Sequence, residues 1–394
     1  MKTGWDRGFF DASNPCQISA KGAKHREMED VMKNNMVKKI LSVGLTAVMA
    51  LSLSACGSSS SATTAAGTTA AAETTAAGSS ESSAATEASE EMKKIGMIQF
   101  TTVPSLDNCY TGFLQGLEAE GFVEGQNITI DFQNANAEPS TADTEAQTMA
   151  QKKYDLIGAI ATPAAMSAYG ACKADGIPVV FTAVSDPVAA QLVESLDKSG
   201  TICAGSSDQL PIEAQLKLIR AFLPDAKKIG ILYTTSEPNS ITDLEIIKEL
   251  APKYDFEIVD QGVTNASEVV SGAQTLVSKG VDCFTNFTDN NVVNNLPSVL
   301  QAATQAGIPV FGSEEGQVYD GCLASISIDY VALGKETGII AGKILKGELK
   351  PEDSAIYTSN EGAPFINTEV AESLNLEIPA DYQDGTMVTT GSNK

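Results

Sequence analysis

The stretch Lys227-Lys-Ile-Gly-Ile-Leu-Tyr-Thr-Thr-Ser-Glu-Pro-Asn-Ser240 decides the fold of this chain of 394 residues. Its apolar opening predicts a buried strand that runs into a polar loop, and residues 241–250 continue it as an amphipathic helix. The opening repeats an earlier segment, Lys93-Lys-Ile-Gly-Met-Ile98, which also runs into a polar loop, 101–108. The chain therefore contains the same strand, loop and helix unit twice.

A second repeat follows each of these units in the same order. Asp175-Gly-Ile-Pro-Val-Val-Phe181 matches Ala306-Gly-Ile-Pro-Val-Phe311, and the offset is again about 130 residues. Two repeats in the same order predict two similar α/β halves, of which the second begins at Lys227. We expect the functional residues to lie between the halves.

The N-terminal region has the pattern of an export signal. Lys33, Lys38 and Lys39 precede an apolar run over 40–53 that ends in small residues. A basic start, a short apolar core and small residues before a break are typical of a cleaved signal peptide. The run is too short for a membrane span, which needs about 20 residues.

The residues at the end of this run, Leu53-Ser-Ala-Cys56, resemble the bacterial lipoprotein box. We therefore predict a signal peptide over 32–55, lipid attachment at Cys56 and, over 1–31, an extension that belongs to no domain. Residues 56–92 are dominated by Ser, Thr, Ala, Gly and Glu, a composition that cannot offset the entropy of folding and that predicts a disordered, lipid-anchored linker. The expected location is extracytoplasmic, on the bacterial cell membrane, with the lipid as the only membrane contact.

Composition excludes several classes of function. The chain has 26 basic and 50 acidic residues, and so acidic a surface should repel nucleic acid and anionic lipid, which excludes nucleic-acid binding. Cleavage before Cys56 would also remove His25, the only histidine. Without it the protein has neither a Ser-His nor a Cys-His nucleophile and no imidazole metal ligand. Five cysteines besides Cys56 would remain. They are scattered without any C-x-x-C pair, so we expect core packing rather than a metal site or a disulfide framework.

From Lys93 onward, strands rich in Ile and Val alternate with helices of 10 to 15 residues. This alternation predicts an α/β fold with parallel sheets and right-handed crossovers. An additional strand over 322–329 and a helix to Leu345 exceed what a simple duplication needs. We therefore predict two Rossmann-like lobes joined by a three-segment hinge, the first formed by 93–208 and 323–349 and the second by 209–322 and 350–390.

Ligands of open parallel sheets bind beyond the carboxyl ends of the strands. At one such end, Thr162-Pro163 predicts a capped helix whose N-terminus presents free N–H groups to an anion. A capped helix is also an ordinary structural feature. Because Arg220 is the only arginine after Cys56, a bound carboxylate would depend on hydroxyl and main-chain N–H groups, and Ser105 and Thr162 are the candidates.

Three carboxylates, Asp186, Glu237 and Asp289, lie at other strand ends in loops without lysine or arginine. Each of them alone is typical of an ordinary cap or turn. Together they favour a ligand that carries an ammonium group. No P-loop, G-x-G-x-x-G or G-x-S-x-G motif follows a strand, and we expect no enzyme activity, catalytic residue, metal or cofactor.

The loops, taken in order, resemble a known family. The matching segments are Ile95-Gly-Met-Ile-Gln99, Pro104-Ser-Leu-Asp107, Ala161-Thr-Pro163, Ser185-Asp-Pro187, Glu237-Pro-Asn-Ser240, Asp289-Asn290 and Ile328-Asp-Tyr-Val-Ala-Leu-Gly334. Together they are similar to the substrate-binding lipoproteins of ABC importers of the tryptophan/tyrosine type, over about residues 93–380. The resemblance implies a type I periplasmic-binding-protein fold with a ligand between two hinged lobes.

The resemblance also implies an amino-acid ligand, in particular tryptophan, tyrosine or phenylalanine. The predicted ligand-binding residues are Ser105, Asp107, Thr162, Pro163, Asp186, Glu237, Asn239, Ser240, Asp289 and Asn290. Further expectations are a monomeric receptor and a membrane permease with a cytoplasmic ATPase as partners. Two alternatives remain open at this point: a receptor of the same fold for a sugar or nucleoside, and a secreted hydrolase that uses two carboxylates.

Overall fold

A computed structural model of the chain describes residues 92–359 and 361–392. The predicted extension, signal peptide and Cys56, and nearly all of the predicted linker, lie outside the described residues. Within them, no helix is both long enough and apolar enough to cross a membrane.

Strands and helices alternate along most of the described chain. The strands are β1 (Lys93–Gln99), β2 (Ile128–Asn134), β3 (Leu156–Ile160), β4 (Val179–Thr182), β5 (Cys203–Ser207), β6 (Lys228–Thr234), β7 (Glu257–Val263), β8 (Cys283–Thr285), β9 (Val310–Phe311), β10 (Ala324–Ser327), β11 (Tyr357–Thr358), β12 (Ala363–Asn367) and β13 (Thr386–Val388). The α-helices are α1 (Pro104–Ala119), α2 (Pro139–Gln151), α3 (Thr162–Cys172), α4 (Ile212–Phe222), α5 (Pro238–Leu250), α6 (Ala266–Ser278), α7 (Asn290–Asn294), α8 (Leu296–Ala306), α9 (Glu315–Tyr319), α10 (Tyr330–Leu345) and α11 (Thr368–Ser373).

These elements form two lobes with the same sheet topology. Lobe I is the sheet β11-β5-β4-β3-β1-β2 with the helices packed on it, and lobe II contains the sheet β7-β6-β8-β9. All pairings in both sheets are parallel. In each lobe the first strand of the repeat, β1 or β6, lies between the second and third strands of that lobe. The predicted fold of two Rossmann-like lobes with parallel sheets is confirmed, and the repeated Lys-Lys-Ile-Gly segments are the equivalent first strands.

The chain passes between the lobes three times, and the structure places two of these passages later than the sequence did. β10 pairs with β12 in a small sheet, β10-β12-β13, that belongs to lobe II, whereas residues 323–329 had been predicted in the first lobe. β11 pairs with β5 in lobe I, whereas residues 350–358 had been predicted in the second. The strand over 322–329 is predicted correctly, but a single sequence does not show which sheet it joins. β11, with 2 residues, is too short to give a hydrophobic pattern.

The three connecting segments lie against one another. A Cβ atom added at Gly362, before β12, would lie 2.5 Å from the side chain of Ile326 in β10 and 3.3 Å from that of Pro211, which precedes α4. Only a residue without a side chain fits between them. The three passages therefore form one compact hinge region.

Helix α10 leaves lobe II and packs against α1 of lobe I at unusually short range. Gly112 and Gly116 on α1 face Gly334 and Gly338 on α10, and a Cβ atom at any of the four would overlap the backbone of the opposite helix. This packing fixes the last large element of lobe I next to the N-terminal end of α1, where the cavity described below begins.

The sequence pattern also predicts helices over 187–195 and 290–306, and the structure differs from it at both. Residues 187–195, predicted as a helix, form turns in which Gln191 has φ of 58° and the Leu192 N–H donates to the Pro187 carbonyl. The predicted helix over 290–306 is divided into α7 and α8 at Asn295, because Pro297 lacks the N–H that a continuous helix needs.

The five cysteines in the described residues are buried free thiols, as expected for core packing. Burial raises the pKa of the Cys172 thiol to about 11 and of the Cys203 thiol to about 12. These thiols are therefore protonated and unreactive at neutral pH.

Candidate ligand site between the lobes

A small cavity lies between the lobes, at the kind of position where α/β folds bind small molecules. We call it the interlobe cavity. Apart from Tyr330, which follows β10, its lining residues follow the carboxyl ends of β1, β3, β4 and β5 in lobe I and of β6, β8 and β9 in lobe II. In a sheet of this order the crevice lies beside the first strand, where successive crossovers go to opposite faces. The interlobe cavity joins the two crevices.

The wall from lobe I contains the N-terminal ends of two helices. Ser105 lies in the first turn of α1 and Thr162 begins α3, and both line the cavity. Each of these helices has a proline in its first two positions, so the free N–H groups that remain are those of the neighbouring residues. Hydroxyl groups and the positive ends of two helix dipoles at one wall form a site for an anion.

Two alanines of this wall have backbone conformations that side chains disfavour. Ala161 has φ of 80° and ψ of 154°, and Ala183 has φ of 54°. Both line the interlobe cavity. Positive φ values at residues other than glycine store strain, and such strain clusters at ligand sites. Here the positive φ values turn the chain sharply at the ends of β3 and β4. The side chain at each of these positions is only a methyl group.

Asp208 supplies a carboxylate at the hinge side of the cavity. It follows β5, and its two oxygens accept hydrogen bonds from the Ser185 hydroxyl at 3.0 Å and the Tyr330 hydroxyl at 3.4 Å. All three residues line the cavity. Burial raises the pKa of Asp208 to about 6, against the opposing effect of these hydrogen bonds. Asp208 is therefore mainly ionised at neutral pH and attracts a cation.

The wall from lobe II is rich in amides and includes a second carboxylate. Asn239, Thr288, Asn290, Glu314 and Gln317 line the cavity here. The Glu314 carboxylate caps α9, accepting from the backbone N–H groups of Gly316 at 2.6 Å and Gln317 at 2.8 Å. Burial raises the pKa of Glu314 to about 7. The cavity lining therefore contains two carboxylates and no lysine, arginine or histidine.

A network of buried carboxylates lies directly behind this wall. Asp289 accepts hydrogen bonds from the Thr234 backbone and hydroxyl, the Ser240 hydroxyl and the Val292 N–H. Glu237 accepts from the backbone and side-chain nitrogens of Asn290, at 3.1 and 2.7 Å. The network holds the loops after β6 and β8 together and positions Asn239 and Asn290 at the cavity.

Burial, together with the nearby charge of Asp289, raises the pKa of Glu237 to about 8. The pKa of Asp289 is also raised by burial, although four donors oppose the shift. Both carboxylates accept four hydrogen bonds, but those of Asp289 are shorter, at 2.6–2.9 Å against 2.7–3.4 Å for Glu237. We therefore assign the negative charge to Asp289 and the proton shared by the pair to Glu237.

The structure brings four of the ten predicted ligand-binding residues to the cavity and places the other six beside it. Ser105, Thr162, Asn239 and Asn290 line it. The six that lie beside it are Asp107, Pro163, Asp186, Glu237, Ser240 and Asp289.

Hydrogen bonds explain the position of two of these six residues, and a place in a helix explains that of a third. The Asp107 carboxylate accepts from the Gln99 side chain at 2.6 Å. The Asp186 carboxylate accepts from the N–H groups of Val188 and Ala189 and, across the lobes, from the Thr242 hydroxyl at 3.2 Å. Pro163 occupies the first turn of α3. Ser240, Glu237 and Asp289 belong to the network behind the lobe II wall.

Sequence reasoning missed Asp208, Ser185, Glu314, Gln317 and Tyr330 as site residues. The rule that ligands bind beyond the carboxyl ends of strands would have found most of them, since Ser185 follows β4, Asp208 follows β5 and Glu314 follows β9. Tyr330 begins α10 and follows a passage between lobes, for which a single sequence gives no signal. Within the described residues no group of three or more His, Cys, Asp or Glu side chains is arranged to hold a metal ion.

Comparison with known proteins gives the same picture. The sequence profile of the family described as ABC transporter substrate binding protein matches residues 94–383. The chain is 40% identical over 289 residues to the tyrosine-binding protein of Clostridioides difficile (strain R20291). The matched region covers 73% of this chain and 83% of that protein.

Two solved structures are similar along most of the chain. One is an ABC domain from Streptococcus pneumonia in complex with L-Trp, with 34% identity and a TM-score of 0.73. The other is the ligand-free, open structure of a substrate binding protein with adhesive properties from Clostridium difficile, with 42% identity and a TM-score of 0.60. Each match covers 76% of this chain and 100% of the other. The fold, the interlobe cavity and these matches together show that the chain belongs to the family of ABC transporter substrate-binding proteins.

Proposed function

We propose that this substrate-binding protein takes up a free aromatic amino acid, tyrosine or tryptophan, in the interlobe cavity and delivers it to an ABC importer. The observation that carries the proposal is the asymmetry of the cavity. One wall has the N-terminal ends of α1 and α3 with the hydroxyls of Ser105 and Thr162, and the remainder has the carboxylates of Asp208 and Glu314. A zwitterion with its carboxylate toward these two helix ends and its ammonium toward the acidic side satisfies both.

The aromatic character of the ligand is supported by the relatives and by the apolar part of the lining. The similar proteins include one named for tyrosine binding and one solved with L-Trp. In this chain the side chains of Val103, Leu106 and Val293 line the same cavity, together with the Tyr330 ring. They offer an apolar surface on which an aromatic side chain can pack.

Ligand binding is proposed to close the lobes about the hinge. The structure is more similar to the complex with L-Trp than to the ligand-free, open structure, although its sequence is closer to the latter. Hydrogen bonds also cross between the lobes, from the Asn108 amide to the Glu315 carboxylate and from the Thr101 hydroxyl to the Asn294 amide oxygen, each at 3.1 Å. Both features support a closed arrangement, which a ligand touching both lobes favours.

The remaining expectations from the sequence belong to the same proposal. The protein binds its ligand without chemical change, is monomeric, and is held outside the cytoplasm by a lipid on Cys56. Its partners are a permease and an ATPase encoded elsewhere. A ligand with an ammonium group also separates this function from that of a sugar or nucleoside receptor, because carboxylates without a facing cation do not favour a neutral ligand.

Isothermal titration calorimetry of the full chain with each of the twenty amino acids tests the proposal. We expect L-Tyr or L-Trp to bind and Asp, Glu and Lys not to bind.

Thr162→Val keeps the shape of the side chain but removes a donor to the ligand carboxylate, and a hydrogen bond to a charged group contributes about 1.5–3 kcal/mol. The affinity should therefore fall at least about tenfold.

The matched control is Thr144→Val, because the Thr144 hydroxyl on α2 is exposed and donates only to the Ser140 carbonyl of its own helix. This variant should bind as the wild type does. Absence of binding for every amino acid, or tighter binding of a sugar, would reject the proposed ligand class.

A further inference from the structure

Asp243 is a buried carboxylate for which the network described above has no use. It lies in the middle of α5 with 1% of its surface exposed. Its Oδ2 atom has no hydrogen-bond partner within the described residues. An unpaired charge in such a place is strongly unfavourable, so this group requires either a proton or a cationic partner.

The usual structural explanations do not apply to Asp243. It is too far from the N-terminus of α5 to cap it, since the helix begins at Pro238. The residues three and four positions away on the helix, Ser240, Asn239, Ile246 and Ile247, include no cation, so α5 offers no ion pair. Packing within lobe II does not explain an ionisable group here.

The position of Asp243 relative to the cavity suggests what the partner is. Asn239, one turn earlier on the same face of α5, lines the interlobe cavity. Thr242, the preceding residue, donates across the lobes to Asp186 at 3.2 Å. The negative charges of Asp208 and Asp186 add to the effect of burial and raise the pKa of Asp243 well above its usual value. Asp243 is not itself among the residues that line the cavity. It lies one turn beyond Asn239 on α5, next to Thr242, the residue that contacts lobe I.

Two further acceptors without a partner lie on the same wall. They are the Oδ1 atom of Asn239 and the Oγ1 atom of Thr288, both buried, and both residues line the cavity. The Asn239 amide nitrogen is already directed at the Thr288 carbonyl at 3.3 Å and the Glu237 carboxylate at 3.4 Å, which leaves its oxygen for another donor. A wall with three unpaired acceptors fits a group with several N–H donors and a positive charge, which an ammonium group supplies.

We propose that Asp243 is the lobe II carboxylate that receives the ammonium group of the ligand, opposite Asp208 of lobe I, with Asn239 and Thr288 as neutral acceptors. This inference rests on the proposed function, because it assigns one end of the amino acid bound there. It also gives the ligand charge a part in closure. Without a cation, the approach of α5 to Asp208 and Asp186 brings like charges together, and with the ammonium group between them the same approach becomes favourable.

The experiment compares L-Trp with 3-indolepropionate, and L-Tyr with 3-(4-hydroxyphenyl)propionate, by calorimetry on the full chain. Each pair differs only by the ammonium group. The wild type should bind the amino acid at least about 100-fold more tightly than the deaminated acid. In Asp243→Asn the affinity for the amino acid should fall about 10- to 100-fold, while that for the deaminated acid stays unchanged or rises, because a repulsive charge has been removed.

Glu145→Gln is the matched control. Glu145 on α2 also has a carboxylate oxygen, Oε2, without a partner within the described residues. Unlike α5, which brings Asn239 to the cavity, α2 contributes no residue to the lining, so this replacement should leave both affinities unchanged. Thermal unfolding without ligand separates binding from folding. Asp243→Asn should unfold at the same or a higher temperature than the wild type, since it removes an unpaired buried charge.

The outcomes are distinguishable. If the wild type binds no amino acid, the proposed function itself fails. If the wild type binds the amino acid but Asp243→Asn binds it equally well, the proposed function stands and the role of Asp243 is wrong. Equal affinity of the wild type for an amino acid and its deaminated partner would also overturn the proposal, without use of any variant.

Discussion

Glu237 and Asp289 illustrate how single residues in this protein serve the site from behind it. Both were expected to touch the ligand because carboxylates at strand ends are typical ligand groups. In the structure their oxygens are occupied by donors from the loops after β6 and β8. Two buried carboxylates this close cannot both be ionised without a large penalty, and the proton held by Glu237 relieves it. They position the residues that do line the cavity.

This protonation has a consequence for stability. The folded-state pKa of Glu237 is raised from 4.5 to about 8, so between these pH values the folded state holds a proton that the unfolded state has released. The free energy of unfolding should therefore fall as the pH rises through this window, with a slope of up to about 1.4 kcal/mol per pH unit from this group. Glu237→Gln keeps the neutral form permanently and should reduce that slope.

Urea denaturation at a series of pH values from 5 to 8 measures the slope. Glu372→Gln, which changes an exposed carboxylate on α11, should leave the wild-type slope intact. A Glu237→Gln slope equal to that of the wild type would mean that the proton is held elsewhere in the network.

At the scale of elements, two helical glycines differ in the space around them, and one of the two lies where α10 packs against α1. A Cβ atom at Gly338 would overlap the Phe113 carbonyl oxygen and would lie 2.9 Å from the Gly116 Cα atom. Gly170 on α3 is exposed, with nothing within 4 Å of an added Cβ atom. The same substitution should therefore have opposite effects at the two positions.

We expect Gly338→Ala to lower the free energy of unfolding by about 1–3 kcal/mol or more, because the helices must separate. Gly170→Ala should raise it by about 0.5–1 kcal/mol through better helix propensity. Chemical denaturation of both variants checks the signs. A neutral effect of Gly338→Ala would show that α10 can move away from α1 without loss of packing.

The elements also show what the sequence could predict. The first strands of both lobes follow from the repeated Lys-Lys-Ile-Gly pattern, and the helices that begin at Thr162 and Ile212 follow from proline and apolar periodicity. Short edge strands such as β11, with 2 residues, could not be recognised, because they contain only a single period of alternation. Polar residues that follow strand ends line the cavity as a class, but which of them point inward depends on local donors. Asp186 and Asp289 cap turns and helices, whereas Asp208 has only two side-chain partners and borders the cavity.

At the scale of the whole molecule, binding depends on the balance between open and closed arrangements of the lobes. Three segments meet at Pro211, Ile326 and Gly362, and a few hinge residues are sufficient for a rigid-body rotation. A charge placed on one lobe at the cleft comes close to the other lobe only when the lobes close. It therefore changes the energy of the closed form and not that of the open form. Such a substitution should therefore change ligand affinity even if it touches no ligand.

Thr242 tests this directly, because its hydroxyl donates to the Asp186 carboxylate across the lobes at 3.2 Å. Thr242→Asp would place two negative charges together, with an interaction of about 1–4 kcal/mol at this range, and should weaken ligand binding about tenfold or more. Thr242→Lys should favour closure and strengthen binding, and Thr242→Val should have the smallest effect. Calorimetry should show the highest ligand affinity for Thr242→Lys, a lower affinity for the wild type and the lowest for Thr242→Asp. Without ligand, small-angle X-ray scattering should show compactness falling in the same order.

Salt separates charge from shape in this series. Because charges are screened over about 3 Å at 1 M salt but over about 30 Å at 0.01 M, the difference between the Lys and Asp variants should shrink steeply as salt is added. A difference that persists unchanged at high salt would indicate a steric effect of the side chain. Equal affinities for both variants at low salt would mean that the contact between Thr242 and Asp186 does not contribute to closure, and that the ligand alone holds the lobes together.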